Sequence, residues 1–226
     1  AIVMSMVVLV MFQPDLGTSM VFLFILFVTA LFTNLPRRWL LATLLVLLIL
    51  AIPGFFLLKD YQQARITSFI NPEADPQGQG YHLIQSRIAV GSGGLTGKGF
   101  LRGTQSRGGF IPEIESDFIF ALVAEEFGLT GSVFVLLLYF LLLARILAIA
   151  RDAKTSYEMH ICYGASAMIF FHVFVGIGMT IGLTPITGLP LPFISQGGSS
   201  LMTMWLLVAI CQAIYSNSHQ EQQRRY

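Results

Sequence analysis

Long apolar runs separated by polar turns are the feature that most restricts the fold of this chain. Three runs, residues 39–58, 118–143 and 160–183, each contain at least 20 residues, and about 20 apolar residues form a helix that crosses roughly 30 Å of hydrocarbon. A further run covers 199–215, and shorter runs at 1–12 and 21–33 flank a polar turn at 13–18. Hydrophobic residues make up 55% of the chain and charged residues 11%, values that a water-soluble domain of this length does not reach. We therefore predict an all-α polytopic membrane protein, a single membrane domain over residues 1–226 that forms a helical bundle of about five to six spans.

Charges and cysteines argue against two common kinds of function. The 13 basic residues are scattered and the net charge is +1, so the clustered basic surface that binds nucleic acid is missing. Cys162 and Cys211 both fall within apolar runs, where a thiol is usually a small core residue, and neither a disulfide nor a metal site follows. The chain starts within an apolar run at Ala1, without the basic flank of a signal peptide. We therefore expect further spans to precede it.

Basic residues in the short loops predict the orientation of the chain. They fall on one side if every span crosses once: Arg37, Arg38, Arg145, Arg151, Lys154, Arg224 and Arg225. The positive-inside rule assigns that side to the cytoplasm. The turn at 13–18, the long hydrophilic segment 59–117 and the loop 184–198 then share the outer face. We expect any chemistry to be extracytoplasmic, and we expect Asp15 to lie near the start of the helix that follows it.

The segment 59–117 is predicted to be a structured extracytoplasmic loop. Residues 81–90 place Tyr81, Ile84 and Ile88 on one face of a helix that lies in the membrane interface or re-enters the membrane. The sequence GSGGLTGKG (91–99) follows, but it is not a Walker A motif, because Ser92 replaces the first required glycine and Gly99 replaces the required Ser or Thr. It is either a nest of backbone N–H groups that holds a pyrophosphate together with Lys98, or a flexible turn.

Five of the twelve carboxylates lie between Gly103 and Glu126. Asp117 directly precedes an apolar run, so it sits where water meets membrane. Either Ser116 or Asp117 caps the following helix, or the acidic cluster serves general-base chemistry or ion transport. Glu125 and Glu126 lie about two turns further on, roughly 12 Å at 1.5 Å per residue. Ionisable groups at that depth must face the bundle interior, be paired or be protonated.

The last loop and the span before it hold the remaining polar groups of interest. Residues 184–200 contain three prolines and three glycines, so we predict a stiff non-helical segment. Such a segment is tolerated at membrane depth only where protein covers it or where it lines a wet cavity. His172 lies in mid-span, and we expect its ring to make one hydrogen bond within the fold.

Five segments in order resemble the SEDS family (shape, elongation, division and sporulation). They are QPDLGTS (13–19), GYHLIQSRIAVGSGGLTGKGF (80–100), GTQS (103–106), PE (112–113) with SDFIFALVAEEFG (116–128), and TGLPLPFISQGGSS (187–200). The run at 97–106 is similar to the elongation members, of the RodA type, more than to FtsW. SEDS proteins have about ten spans, so the resemblance covers their C-terminal portion.

The resemblance implies a peptidoglycan glycosyltransferase that polymerises lipid II at the outer face of the bacterial cytoplasmic membrane, beside a class B penicillin-binding protein that crosslinks the product. The essential acid of the family motif H-T-D-F-I-F falls on Asp117. The chain departs from the family pattern at Glu115-Ser116, at Arg107-Gly108-Gly109 and at Gln196.

In the mechanism that this resemblance implies, Asp117 accepts the proton of a sugar 4-hydroxyl as that oxygen attacks the anomeric carbon of a lipid-linked glycan. The departing pyrophosphate would be neutralised by positive charge, from Arg87, Lys98, Arg102 or Arg107. A divalent cation (Mg or Mn) held by the acidic cluster is the alternative. Further substrate contacts are predicted at Gln105, Glu113, Ser195 and Ser199. A lipid-precursor flippase or ion-coupled transporter, and a non-catalytic scaffold for the crosslinking enzyme, stay open as alternatives.

Overall fold

The computed structural model describes residues 2–13, 15–33, 59–74, 78–111 and 114–223, with isolated positions at 36, 38 and 45. These residues form helices and loops: α1 (Ile2–Phe12), α2 (Leu16–Leu31), α3 (Asp60–Ile70), a 3-10 turn (Pro72–Ala74), α4 (Gln79–Ser92), α5 (Thr104–Arg107), α6 (Ile119–Asp152), α7 (Ser156–Ile181) and α8 (Gly198–Gln223). The span predicted at 39–58 lies outside the described residues, as do Arg37, Glu113, Arg224 and Arg225.

Three of the described helices are long and apolar enough to cross a membrane: α6, α7 and residues Gly198–Ser218 of α8. They coincide with the apolar runs at 118–143, 160–183 and 199–215. Helix α2 is apolar but shorter. The prediction of an all-α membrane bundle is confirmed, and the number of five to six spans stays a prediction.

The main core lies where α6, α7 and α8 pack together. Ile169 is fully buried there, and Cys162 and Cys211 are buried free thiols with exposures of 0% and 1%. A smaller apolar cluster lies at the loop end of the bundle, where Leu83 of α4 packs with Phe118. The second half of α6 instead exposes large apolar side chains, such as Phe134 at 60%, which suits contact with lipid.

Helix α6 consists of two helical segments joined at Gly128. This glycine has φ +66° and ψ −158°, a conformation that is essentially restricted to glycine. Residues 129–152 alone extend about 36 Å at 1.5 Å per residue, enough to cross a bilayer. Residues 119–127 form a separate short segment whose side chains are mostly buried in protein. Gly128 therefore interrupts the apolar run that was predicted from Phe118 as one span, and the depth of Glu125 and Glu126 in the membrane stays a prediction.

Candidate functional site

Three polar segments meet at one end of the bundle. The amide of Gln196 donates to the carbonyl of Glu115 (2.9 Å), and Nη1 of Arg65 donates to the carbonyl of Thr187 (3.4 Å). Gly17, in the first turn of α2, lies so close to Thr187 that a methyl group on it would be 3.0 Å from the carbonyl oxygen. The segments 13–18 and 59–117, which the sequence assigned to one face together with 184–198, therefore both contact the loop 184–198.

Asp117 lies at this meeting point and is half-buried. The N-cap residue of α6 is Phe118, whose side chain makes no capping hydrogen bond. The interpretation of Ser116 or Asp117 as the helix cap was therefore wrong. A methyl group placed on Gly188 would lie 3.6 Å from Oδ2 of Asp117, so the carboxylate stands against the loop 184–198.

Asp15 is occupied as a helix cap, as its place in the sequence indicated. Its Oδ1 accepts the backbone N–H of Thr18 (3.0 Å), and its Oδ2 accepts the hydroxyl of the same residue (2.6 Å). The cap orders the first turn of α2, which brings Gly17 against Thr187. Asp15 thus shapes the meeting point from the side of α2.

Glu125 is fully buried and accepts five hydrogen bonds. Its Oε1 accepts from Nζ of Lys98 (2.7 Å), from N and Oγ1 of Thr104 (2.8 and 3.1 Å) and from N of Gln105 (2.9 Å), while Oε2 accepts from N of Ser106 (2.9 Å). Three of these donors are the first backbone amides of α5, so Glu125 fixes that short helix onto α6. Placing a charge there is favourable because the amides and the ammonium group replace its water.

Glu126 is also buried, with an exposure of 2%. The prediction that both glutamates face the protein interior, and that at least one is paired, is confirmed by these exposures and by the ion pair between Glu125 and Lys98. The pair lies beside the loop 93–99.

The loop 93–99 completes the backbone hydrogen bonding that the break at Gly128 interrupts. A continuous helix would join the N–H groups of residues 129 and 130 to the carbonyls of 125 and 126. Instead Leu129 N donates to Gly94 O (2.9 Å) and Thr130 N to Leu95 O (3.1 Å). In return, Lys98 N donates to Glu125 O and Gly99 N to Glu126 O, both at 3.0 Å. Four bonds to the loop replace two bonds within the helix.

This arrangement decides between the two interpretations of the glycine-rich segment. The amides of Lys98 and Gly99 are bound to α6, the amide of Gly97 donates to Gly93 O (2.8 Å), and the Lys98 ammonium group is paired with Glu125. A methyl group on Gly97 would lie 2.1 Å from the carbonyl oxygen of Glu126, so glycine is required there by close packing. The nest for a pyrophosphate was therefore a wrong interpretation, and so was the flexible turn.

Helix α4 covers the predicted helical segment 81–90 but buries a different face. Its buried residues are Leu83, Ser86 and Ala89, whereas Ile88 of the predicted apolar face is 44% exposed. Small residues allow α4 to pack closely against the first segment of α6 and the end of α7, where the hydroxyl of Ser86 donates to Thr180 O (2.9 Å). The predicted helix is confirmed, with Tyr81, Ile84 and Ile88 on a face other than the one packed in protein; its place in the membrane interface stays a prediction.

Arg87 of α4 binds the end of α7. Its Nη2 donates to the carbonyl of Gly182 (3.1 Å), the C-cap of α7, where a cation also complements the helix dipole. Arg102 and Arg107 are exposed on either side of the α5 segment. Of the four cations predicted for the pyrophosphate, Lys98 and Arg87 are thus engaged in contacts within the fold.

The predicted polar contacts Gln105, Ser195 and Ser199 have separate surroundings. Gln105 lies in α5, and its Oε1 is buried without a hydrogen-bond partner among the described residues. Ser195 Oγ accepts the amide of Leu191 (2.8 Å) and so shapes the loop 184–198. Ser199 lines a cavity of about 420 Å³ between α2, α7 and α8 together with His172, whose Nδ1 lies 2.9 Å from Met168 O.

The sequence analysis did not identify Arg65 as a candidate site residue. It is half-buried on α3, and its guanidinium lies 5.9 Å from the ring centre of Tyr61 as well as donating to Thr187. The only local signal was a single cation in a helical stretch that holds aromatic and amide side chains. Its partner lies more than a hundred residues away, beyond the reach of local sequence patterns.

The described residues contain no group of three or more His, Cys, Asp or Glu side chains that could hold a metal ion. Glu113 lies outside them. The divalent cation therefore stays a prediction, and no step below depends on it.

The sequence model of the family FTSW_RODA_SPOVE, described as cell cycle protein, matches residues 1–220. The chain is 46% identical over 213 residues to "Peptidoglycan glycosyltransferase MrdB" of Escherichia coli (strain K12), covering 92% of this chain and 57% of that relative. It is 45% identical over 161 residues to "Peptidoglycan glycosyltransferase RodA" of Treponema pallidum (strain Nichols), covering 71% and 37%. The chain thus spans little more than half the length of the first relative and matches little more than a third of the second.

A solved structure described as "Structural coordination of polymerization and crosslinking by a peptidoglycan synthase complex" superposes with a TM-score of 0.77 at 35% identity. The match covers 96% of this chain and 60% of the other. With the family match over nearly the whole chain and three helices suited to crossing a bilayer, this protein belongs to the FtsW, RodA and SpoVE family of integral membrane proteins.

Proposed function

We propose that this protein is a peptidoglycan glycosyltransferase that polymerises lipid II into glycan strands during cell elongation. The observation that carries the proposal is the position of Asp117, a half-buried carboxylate that does not cap its helix and stands against Gly188 where three polar segments meet. The likeness to relatives named peptidoglycan glycosyltransferase adds to it.

The chemistry needs a base at the acceptor sugar. Asp117 accepts the proton of the 4-hydroxyl while its oxygen forms a bond to the anomeric carbon of the lipid-linked glycan. The bond from that carbon to the phosphate oxygen breaks, and its electron pair leaves with the lipid pyrophosphate. General-base assistance of this kind contributes about 10²–10⁴-fold to the rate.

The surroundings of Asp117 favour a fixed geometry for this step. The next residue, Phe118, is 3% exposed and packs with Leu83 and Ile186. Further along the same helical segment, Glu125 holds α5, and the loop 93–99 is bonded to the backbone on both sides of Gly128. A base held this rigidly loses little free energy to reorganisation when the proton moves.

We place the reaction at the outer face of the bacterial cytoplasmic membrane, since the basic residues that the positive-inside rule assigns to the cytoplasm lie away from Asp117. Lys154 contacts Asn217 O, and Arg145 stacks on Tyr215, both near the far end of α8. A class B penicillin-binding protein is the proposed partner, in keeping with the solved complex described as coordinating polymerization and crosslinking.

Purified full-length protein supplied with lipid II tests the proposal. Long glycan strands on a denaturing gel are the expected product. Lipid II that crosses a vesicle membrane without polymerisation would instead identify a flippase, and neither product would identify a scaffold. Stripping divalent ions and adding back Mg²⁺ or Mn²⁺ in the same assay tests the predicted cation.

A further inference from the structure

Arg65 and Asp117 contact adjoining residues of the loop 184–198. Arg65 donates to the carbonyl of Thr187, and Asp117 stands against Gly188. The peptide unit between these two loop residues therefore separates a cation from the proposed base.

The guanidinium of Arg65 keeps most of its hydrogen-bonding capacity. It has five N–H donors, and among the described residues its recorded interactions are one long hydrogen bond of 3.4 Å to Thr187 O and the ring of Tyr61, with its centre at 5.9 Å. The hydroxyl Oγ1 of Thr187 is buried without a hydrogen-bond partner among the described residues. It is a second hydrogen-bond donor beside the guanidinium of Arg65.

The cations predicted from the sequence are placed differently. Lys98 is neutralised by fully buried Glu125, and Arg87 binds the end of α7 at Gly182. Arg102 precedes α5 and Arg107 is its last residue. The amides of α5 are bound by Glu125, which follows Asp117 by eight residues in the chain. Arg65, in contrast, binds Thr187, the neighbour of the Gly188 that lies against Asp117.

We propose that Arg65 binds the pyrophosphate of the lipid-linked donor and neutralises it as it leaves. This inference rests on the proposed function. As the acceptor oxygen bonds to the anomeric carbon and Asp117 takes its proton, the bond between that carbon and the phosphate oxygen breaks, and the negative charge develops on the phosphate. A planar guanidinium binds two phosphate oxygens at once, and such charge stabilisation acts mainly in the transition state.

Binding of farnesyl pyrophosphate to the full-length protein in nanodiscs tests this role without any turnover, with farnesol as the ligand that lacks phosphate. We expect Arg65→Gln to weaken farnesyl pyrophosphate binding about ten-fold or more, the scale of a lost charge-assisted contact, and to leave farnesol binding unchanged.

Arg145→Gln is the matched control, since Arg145 also stacks on a tyrosine but lies near the far end of α8; its affinity should be unchanged. Arg65→Lys keeps one charged donor for Thr187 O and guards against a folding defect in the Gln variant. We expect it to bind farnesyl pyrophosphate several-fold more weakly than the wild type, because a lysine cannot make the bidentate contact.

Wild-type affinity in both folded Arg65 variants would overturn the role of Arg65 and leave the proposed polymerase intact. An equal loss for farnesol would overturn it too, because the defect would then lie in the site as a whole. Failure of the wild type to polymerise lipid II would count against the proposed function instead, which makes the two failures distinguishable.

Discussion

The amide of Gln196 donates to the carbonyl of Glu115 at 2.9 Å. These two residues are departures from the SEDS motifs, and the bond joins the segment that leads to Asp117 with the loop that precedes α8. Both residues are exposed, and the bond uses backbone atoms alone. The departures at Glu115 and Gln196 therefore lie next to each other in the fold, and the hydrogen bond that joins them does not depend on their side chains.

We expect Glu115→His and Gln196→Tyr, which restore the family residues, each to change the free energy of unfolding by about 0.5 kcal/mol or less, as exposed substitutions usually do. Because the two positions adjoin, the double variant should differ from the sum of the singles by at least about 0.5 kcal/mol. A denaturant double-mutant cycle measures this difference. Strict additivity would show that the two side chains do not interact.

Asp117→Asn should reduce glycan synthesis by about two orders of magnitude or more, since an amide cannot accept the proton. Stability should change little, because asparagine keeps the size of aspartate and most of its hydrogen-bonding capacity. Lipid II polymerisation and thermal unfolding of the same preparation give both quantities. Glu115→Gln, two residues away and exposed, serves as the control and should cost much less activity. Near-normal synthesis by folded Asp117→Asn would rule out the general base.

Glu125→Gln should destabilise the protein by about 2–4 kcal/mol, because it leaves Lys98 unpaired and presents an N–H group to the donors of α5. Lys98→Met should cost less, since Glu125 keeps the backbone amides of Thr104, Gln105 and Ser106. Unfolding in detergent measures both changes. A Lys98→Met loss as large as that of Glu125→Gln would mean that the ion pair, rather than the amide contacts, holds α5.

Gly128→Ala should cost about 3 kcal/mol or more, since alanine is strained at this φ and ψ and its methyl group would lie 2.4 Å from Gly97 N. Gly91→Ala is the matched control: no atom lies within 4 Å of the added methyl group, and the site is at the end of α4. There we expect no loss or a gain of about 0.5–1 kcal/mol. Equal stabilities of the two variants, measured by thermal unfolding, would contradict the role of the helix break.

Cysteine labelling tests the orientation. Asn71→Cys, at the exposed end of α3, should react with an impermeant thiol reagent in intact cells. Tyr157→Cys, at a residue that is 75% exposed near the start of α7, should react only after lysis. Background should be low, because Cys162 and Cys211 are buried. The reverse pattern would place the meeting point of the polar segments in the cytoplasm.

Hydropathy predicted the spanning helices because lipid selects strongly for uninterrupted apolar length. The helices α7 and α8 follow the predicted runs closely, and Asp15 caps α2 because its side chain acts within one turn. The sequence also predicted that the three polar segments lie at one end of the bundle, because each of them connects neighbouring spans.

Features that depend on distant partners were missed. A glycine within an apolar run, such as Gly128, is compatible with a continuous helix unless another segment supplies the lost hydrogen bonds, and here that segment lies about thirty residues earlier. The buried face of α4 was not predicted, because Ser86 and Ala89 pack there through their small size and not through hydrophobicity. Arg65 had no local sign of its contact with Thr187.

The hydrogen bonds between the loop 93–99 and the helix backbone around Gly128 depend on the number of residues in that loop. Removing one residue between Leu95 and Lys98 would shift the two accepting carbonyls relative to the two donating amides. Polar backbone groups of Glu126 or Leu129 would then lose their partners at the head of a lipid-facing helix, where each unpaired group costs several kcal/mol. An insertion or deletion in this loop would therefore damage the long apolar helix itself, a sensitivity that surface loops ordinarily lack.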